Sequence, residues 1–180
     1  MSAESTWFLV FVIFSIWYLS HQAGRLDRLH HRIELANITL DGHLNRRAGI
    51  AAELVSMNFL DPASEALVMQ SAHDVLAGED LPNASRLSDE SELTEALADA
   101  LEDPFDVAEF RKDPAINQLL DELIAVSNRI VLAKRFYADA VRDCSALREQ
   151  NIVRLFRLAG HAAKPVPIDF DDRIAPGLSA

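Results

Sequence analysis

The sequence predicts an all-α protein: a single N-terminal transmembrane helix continuous with an antiparallel bundle of about four helices, two long and two or three short. Three observations predict it. An uncharged run without Pro or Gly occupies residues 7–19. Behind it, apolar residues recur at alternating intervals of three and four, the spacing of a helix that packs along one stripe. Three Asp-Pro pairs then divide the rest of the chain in the manner of helix starts. The expected organisation is a short N-terminus and membrane helix over 1–24, a helical bundle over 25–160 and an irregular tail over 161–180.

The apolar run alone covers about 13 residues, short of the roughly 20 needed to cross the hydrocarbon layer. Its flanks complete the span. Ser5, Thr6, Ser20 and the residues to Gly24 are uncharged apart from His21, and extend it to about 20 residues or roughly 30 Å of helix. Six of the thirteen aromatic residues fall between Trp7 and Tyr18, with Trp7 at one end and Trp17 and Tyr18 at the other, the pattern of an interfacial aromatic belt. The expected membrane-span residues are Trp7, Phe8, Phe11, Phe14, Trp17, Tyr18 and Leu19. A cleaved signal peptide is disfavoured, because residues 1–6 carry no base and His21 occupies a position where a cleavage site has a small side chain. Arg25, Arg28 and Arg32 follow the span, so the positive-inside rule places the N-terminus outside and the remainder in the cytoplasm. These arginines recur at three and four on one helix face, and are candidate contacts for anionic lipid headgroups.

Composition narrows the function classes. A net charge of -11 leaves no basic excess to displace phosphate counterions, which argues against nucleic acid as a partner. One cysteine, Cys144, excludes an internal disulfide and a multi-cysteine zinc site. The hydrophobic share of 49% and charged share of 25% are those of a folded protein.

Each element has its own signature. The first helix continues through Leu26, Leu29, Ile33, Ala36 and Leu40, then His43 and Arg47, then Ile50, Leu54 and Met57, for about 50 residues in all. Asp61-Pro62, Asp103-Pro104 and Asp113-Pro114 each offer a carboxylate to cap free amides and a Pro whose missing N–H costs nothing at the first helical position. The second helix therefore follows Pro62 and stops near Gly78 in a left-handed turn. Residues 79–87 form a loop, the third helix starts near Ser88, and a short fourth covers 105–112. From Asp61 to Pro114 there are fifteen acids against three bases, read as a solvated face or, alternatively, a docking surface for a basic partner. The last long helix has the strongest periodicity: Ile116, Leu119, Leu123, Val126, Ile130, Ala133, Tyr137, Ala140, Cys144 and Leu147. Leu120, Phe136 and Val141 widen that stripe for packing against several helices. After Gly160 the periodicity disappears, and the tail is expected to be irregular and partly disordered.

Two further features bear on chemistry. Asp27, His30, His31 and Glu34 lie three and four apart. Carboxylate–His pairs bind metal in some bundles, but need matching carboxylates from other helices, and a charge cluster at the membrane surface is the simpler reading. Arg47 falls on the apolar stripe, so it requires an acidic partner if buried. Cys144 reads as a packed core thiol.

Three segments resemble the LemA family of bacterial membrane proteins. In residues 128–143 the matching positions are Asn128, Ile130, Ala133, Lys134, Tyr137 and Val141, with Ala138 in place of the family's Asn. Residues 41–55 are similar through Asp41, Leu44, Arg46, Arg47, Leu54 and Val55, although Gly49 and Ala52 replace the family's Asp and Pro. Residues 91–97 resemble its third element. The resemblance implies a membrane helix on a bundle of about four helices, with Asp41, Arg46, Arg47, Asn128, Ile130, Tyr137 and Val141 as structural motif residues, and brings with it no established enzymatic activity. The expected function is a single-pass, membrane-anchored, non-catalytic scaffold or adaptor in the bacterial cell membrane. Its expected partners are the lipid bilayer and unidentified membrane or cytoplasmic proteins, with self-association possible and no cofactor. The alternatives are a metal-dependent enzyme using Asp27, His30, His31 and Glu34, and a purely structural self-associating stalk.

Overall fold

The computed structural model describes residues 3–78, 83–156 and 164–178. These are all-helical, with no strand among them: α1 (Ala3–Ser56), α2 (Pro62–Ala77), α3 (Ala84–Ala100), α4 (Pro104–Phe110), α5 (Pro114–Glu149), α6 (Asn151–Leu155) and a 3-10 turn at Pro176–Leu178. α1 is one long helix whose N-terminal part is apolar and exposed, long and apolar enough to cross a membrane.

Local chemistry explains the helix ends. The Asp61 carboxylate accepts from the Ala63 and Ser64 amides, that of Asp103 from Phe105, and that of Asp113 from Ala115 and Ile116. All three Asp-Pro pairs are thus helix starts. α1 ends where the Met57 and Asn58 amides turn back to Leu54 and Val55, with Asn58 left-handed at φ 53°, a conformation its short polar side chain tolerates.

Several boundaries differ from the sequence expectation. α3 begins at Ala84 rather than near Ser88, because Asn83 supplies a cap by accepting from the Ser85 amide. Gly78 ends α2 in an extended conformation, φ -68°, not in a left-handed turn. α4 runs from Pro104 to Phe110. Met57 lies beyond α1 and is exposed, as is Phe136. The expected loop residues 79–82 and the first tail residues, 161–163, lie outside the described residues.

The chain divides into two compact units. The first comprises Met1–Leu35 and Ala138–Val166, the second Ala36–Tyr137 and Pro167–Ala180. In the first, Leu26 of α1 packs with Cys144 and Leu147 of α5 and Val153 of α6, flanked by Leu29 and Ile33. In the second, the core draws Leu40, Leu44, Ala48, Ala51 and Leu54 from α1, Val68, Ala72 and Val75 from α2, and Leu93 and Leu97 from α3. α5 adds Leu120, Leu123 and Ile130. All ten predicted stripe positions of α5, Ile116 through Leu147, are buried, the direct consequence of apolar residues recurring on one face of a helix.

The tail is irregular over residues 164–175, as its lack of periodicity predicts, yet residues 167–178 are not loose. Ile168, Phe170, Ala175 and Gly177 are buried. Lys134 holds the segment by donating to the Phe170 carbonyl and to Asp172 at 3.1 Å, and its ammonium lies 4.6 Å from the Phe170 ring centre. The Thr94 hydroxyl donates to the Asp171 carbonyl at 2.8 Å, and the Asp171 amide donates to Ser91 at 3.2 Å. The Gly177 amide donates to the Leu101 carbonyl at 2.9 Å, an approach so close that a Cβ on Gly177 would lie 2.6 Å from that oxygen.

Candidate membrane anchor and headgroup site

The surface of α1 in the first unit is inverted relative to a protein immersed in water. Trp7 is 75% exposed and Trp17 61%, and Phe8, Leu9, Val10, Phe11, Ile13, Phe14 and Ile16 between them are also exposed. Tyr18 and Leu19 are partly covered. Scattered exposed apolar side chains are ordinary, but a contiguous band of this kind marks a binding or membrane surface. The Ser15 hydroxyl donates back to the Phe11 carbonyl, which satisfies its only donor within the helix. Trp17 stacks on His21 with ring centres 6.0 Å apart and leans on Phe14 at 5.9 Å. These contacts fix the orientation of the aromatic residues at the C-terminal end of the apolar band.

Immediately beyond the band, Arg25, Arg28, Arg32 and Leu29 of α1 line an open groove of about 540 Å³, with Asp143, Ala146, Leu147 and Gln150 on its other side. Asp143 is its single acid, 3.8 Å from Arg32 in a solvent-exposed pair, a distance at which the attraction is weak. Among the described residues, neither Arg25 nor Arg28 forms an ion pair. The groove therefore presents net positive charge next to an apolar band, the combination suited to a lipid phosphate.

The Asp27, His30, His31 and Glu34 cluster does not converge. His31 Nδ1 lies 3.5 Å from Glu34 on the exposed face. His30 turns the other way, with Nδ1 2.9 Å from the Leu26 carbonyl and Nε2 3.3 Å from Arg148 and 3.8 Å from Cys144 Sγ. Among the described residues no three His, Cys, Asp or Glu side chains are grouped to hold a metal ion. Cys144 is buried, and burial pushes its thiol up from the ordinary value against a smaller opposing effect of Arg148. That keeps it protonated and a weak nucleophile.

The second unit contains the most polar interior of the molecule. Arg47 and Glu90 are 2% and 0% exposed and form an ion pair at 2.7 Å. The Arg47 guanidinium also donates to the Glu90 carbonyl and to the Thr94 hydroxyl, at 3.2 and 3.0 Å. Arg86, equally buried, donates to Asn45 at 2.7 Å and faces Asp41 at 3.5 Å. Its Nε lies 3.3 Å from the second Glu90 oxygen without the alignment of a hydrogen bond. Two guanidiniums are thus balanced by two carboxylates, Glu90 fully buried and Asp41 partly exposed, with Asn45 oriented by donating to Asp41. Burial pushes the Glu90 carboxyl up, while Arg47 and Arg86 oppose that shift. The charges are balanced within the network, whereas Arg47 Nε, Arg86 Nε and Glu90 Oε1 are buried without a hydrogen-bond partner among the described residues.

The motif residues have separate placements. Asp41 and Arg47 belong to this network. Arg46 is exposed and pairs with Glu122 at 2.6 Å, and the hydrogen bond from Gln118, followed by that from Arg46, holds the Glu122 carboxyl below its ordinary value. Asn128 donates to the Ile124 carbonyl one turn back. Ile130, Tyr137 and Val141 are buried, and burial raises the Tyr137 hydroxyl. Sequence reasoning missed Arg86, Glu90 and Thr94. The available signal was Arg86 and Glu90 at i and i+4, with Arg86 the only base between Asp61 and Arg111. No family model, curated protein or solved structure matches the chain.

Proposed function

We propose that this protein is a single-pass membrane-anchored scaffold or adaptor of the bacterial cell membrane, without catalytic activity and related in organisation to the LemA family. In this reading residues 7–24 span the bilayer with the N-terminus outside. The rest forms an antiparallel bundle of about four helices on the cytoplasmic side, and Arg25, Arg28 and Arg32 contact anionic headgroups. The observation that carries it is the contiguous exposed apolar band of α1, followed at once by the arginine groove. A core whose buried charges are balanced by one another supports a structural rather than a chemical role for the remainder. The acidic stretch from Asp61 to Pro114 supplies a surface for basic protein partners.

Two measurements test the proposal. A reporter fused after Ala180 should report a cytoplasmic location in intact cells, and an external signal reverses the orientation. Purification in mild detergent after crosslinking should recover defined protein partners. Recovery of the free monomer alone defeats the scaffold role.

A further inference from the structure

We infer that residues 151–156 form a second lipid contact, dipping into the same leaflet beside the anchor helix. The inference rests on the proposed membrane placement of α1 and adds a surface that this placement does not include. α6 (Asn151–Leu155) follows α5 directly and leaves two large apolar side chains uncovered, Leu155 at 76% and Phe156 at 55% exposure. Its inner side is anchored, because Val153 is buried with Leu26, Cys144 and Leu147. Phe156 closes one side of an open, mostly apolar groove of about 270 Å³, whose other walls are Phe11, Phe14, Ser15, Tyr18 and Leu19. The end of this segment therefore lies beside the part of α1 assigned to the bilayer, not beside the arginines.

The positions fix a depth. Gln150 lines the arginine groove with Arg25, and Phe156 lies against residues 11–19, so residues 151–156 run back along α1 from the headgroup level toward the hydrocarbon. The five residues of α6 advance about 7.5 Å, within the depth to which interfacial amphipathic segments bury their apolar faces. The sequence suits an anionic leaflet: residues 151–164 contain Arg154, Arg157 and Lys164 and no acid, although the whole chain carries -11. The basic sequence suits anionic lipid, and the position of Phe156 beside the part of α1 assigned to the bilayer favours lipid over a second copy of the chain.

The test uses the full-length chain in vesicles of phosphatidylethanolamine and phosphatidylglycerol. Phe156 is replaced by a photoreactive diazirinyl phenylalanine, and in parallel samples the same group replaces Phe14 or Phe105. Phe105 is exposed in the second unit and reports the aqueous background. Illumination should give lipid adducts at 156 as it does at 14, with neither seen at 105. Lipid adducts at 14 but only water addition at 156 overturn the second contact and leave the anchor standing. Crosslinks from 156 to another copy of the chain overturn it in favour of a protein–protein contact. Lipid adducts at neither position defeat the anchor reading itself. All three positions are exposed, so the added diazirine group does not enter the core, and an unchanged helical circular dichroism spectrum verifies the fold.

Discussion

In the first unit tryptophan, phenylalanine and isoleucine lie on the surface, whereas in the second two arginines and a glutamate lie inside. Each arrangement reverses the ordinary rule, and each needs a different compensation. The buried charges find it within the chain: Arg47, Arg86, Glu90 and Asp41 neutralise one another, with Thr94 and Asn45 taking up further donors. The exposed apolar band finds no such compensation among its neighbours, and the proposed bilayer is what would supply it. The difference teaches where to look for function. A region whose irregularity is satisfied internally is structural, and a region whose irregularity is left open is where something binds.

The largest expected effect breaks the open region. A carboxylate at the centre of a membrane helix costs about 3 kcal/mol, so Phe11→Asp combined with Phe14→Asp should move the protein from the carbonate-washed membrane fraction to the soluble fraction. If the double variant remains integral, the exposed band is not an anchor. The next effect breaks the closed region. Glu90→Ala leaves two buried guanidiniums with insufficient negative charge, and removal of one partner of a buried ion pair costs about 3–5 kcal/mol. Urea unfolding of the detergent-solubilised chain, followed by helical circular dichroism, should record that loss. Replacing the three buried members, by Arg47→Met, Arg86→Met and Glu90→Leu, should recover most of it, because apolar residues of similar volume require no pairing and Asp41 is partly exposed and keeps its hydrogen bond from Asn45. A Glu90→Ala variant as stable as the parent would show that the network contributes nothing to the second unit.

How much of each region the sequence disclosed follows the same division. The α5 stripe was legible at all ten positions, since a helix buries whatever recurs at three and four. The Asp-Pro starts were equally legible, because capping is decided within a few residues. Arg47 marked its own site by interrupting an apolar stripe, but its partner Glu90 is 43 residues away in sequence, one acid among fifteen, and no local pattern distinguishes it. The docking of the tail was hidden for a related reason. Ile168 and Phe170 lie in an irregular segment, where burial has no period to reveal it, and Lys134 reaches them across 36 residues. Phe156 was unread because its significance depends on lying near Phe11 and Phe14.

A smaller effect sharpens the view of the second unit as closed. Gly177→Ala places a methyl group 2.6 Å from the Leu101 carbonyl oxygen and 2.9 Å from Val107. Neither the backbone atom nor the short valine can move far, and overpacking of this kind costs about 1–3 kcal/mol. The tail segment should then lose protection first. Amide hydrogen exchange at Gly177, whose N–H donates to Leu101, should accelerate more than exchange in α5. Equal acceleration throughout would mean that the tail and the helices open as one, and that its docking is not a separate step.

The smallest effect is a pH dependence in which two groups act oppositely. Asp61 is held below its ordinary 3.8, first by the Ser64 side chain and then by the amides it caps. Its contribution is therefore present above that value and lost as pH falls through the lower folded one. Glu90 is the reverse. Burial raises it above its ordinary 4.5, so the folded state binds its proton more readily, and that contribution, complete below 4.5, is lost as pH rises through the raised value. Glu90→Gln should consequently flatten the decline in stability on the neutral side, whereas Asp61→Asn should reduce the loss on acidification and leave the neutral side unchanged. Unfolding midpoints measured across the acidic range separate the two. If Glu90→Gln leaves the neutral side as steep as in the parent, the two guanidiniums outweigh burial, and the buried network holds an ionised carboxylate without a pH-dependent penalty.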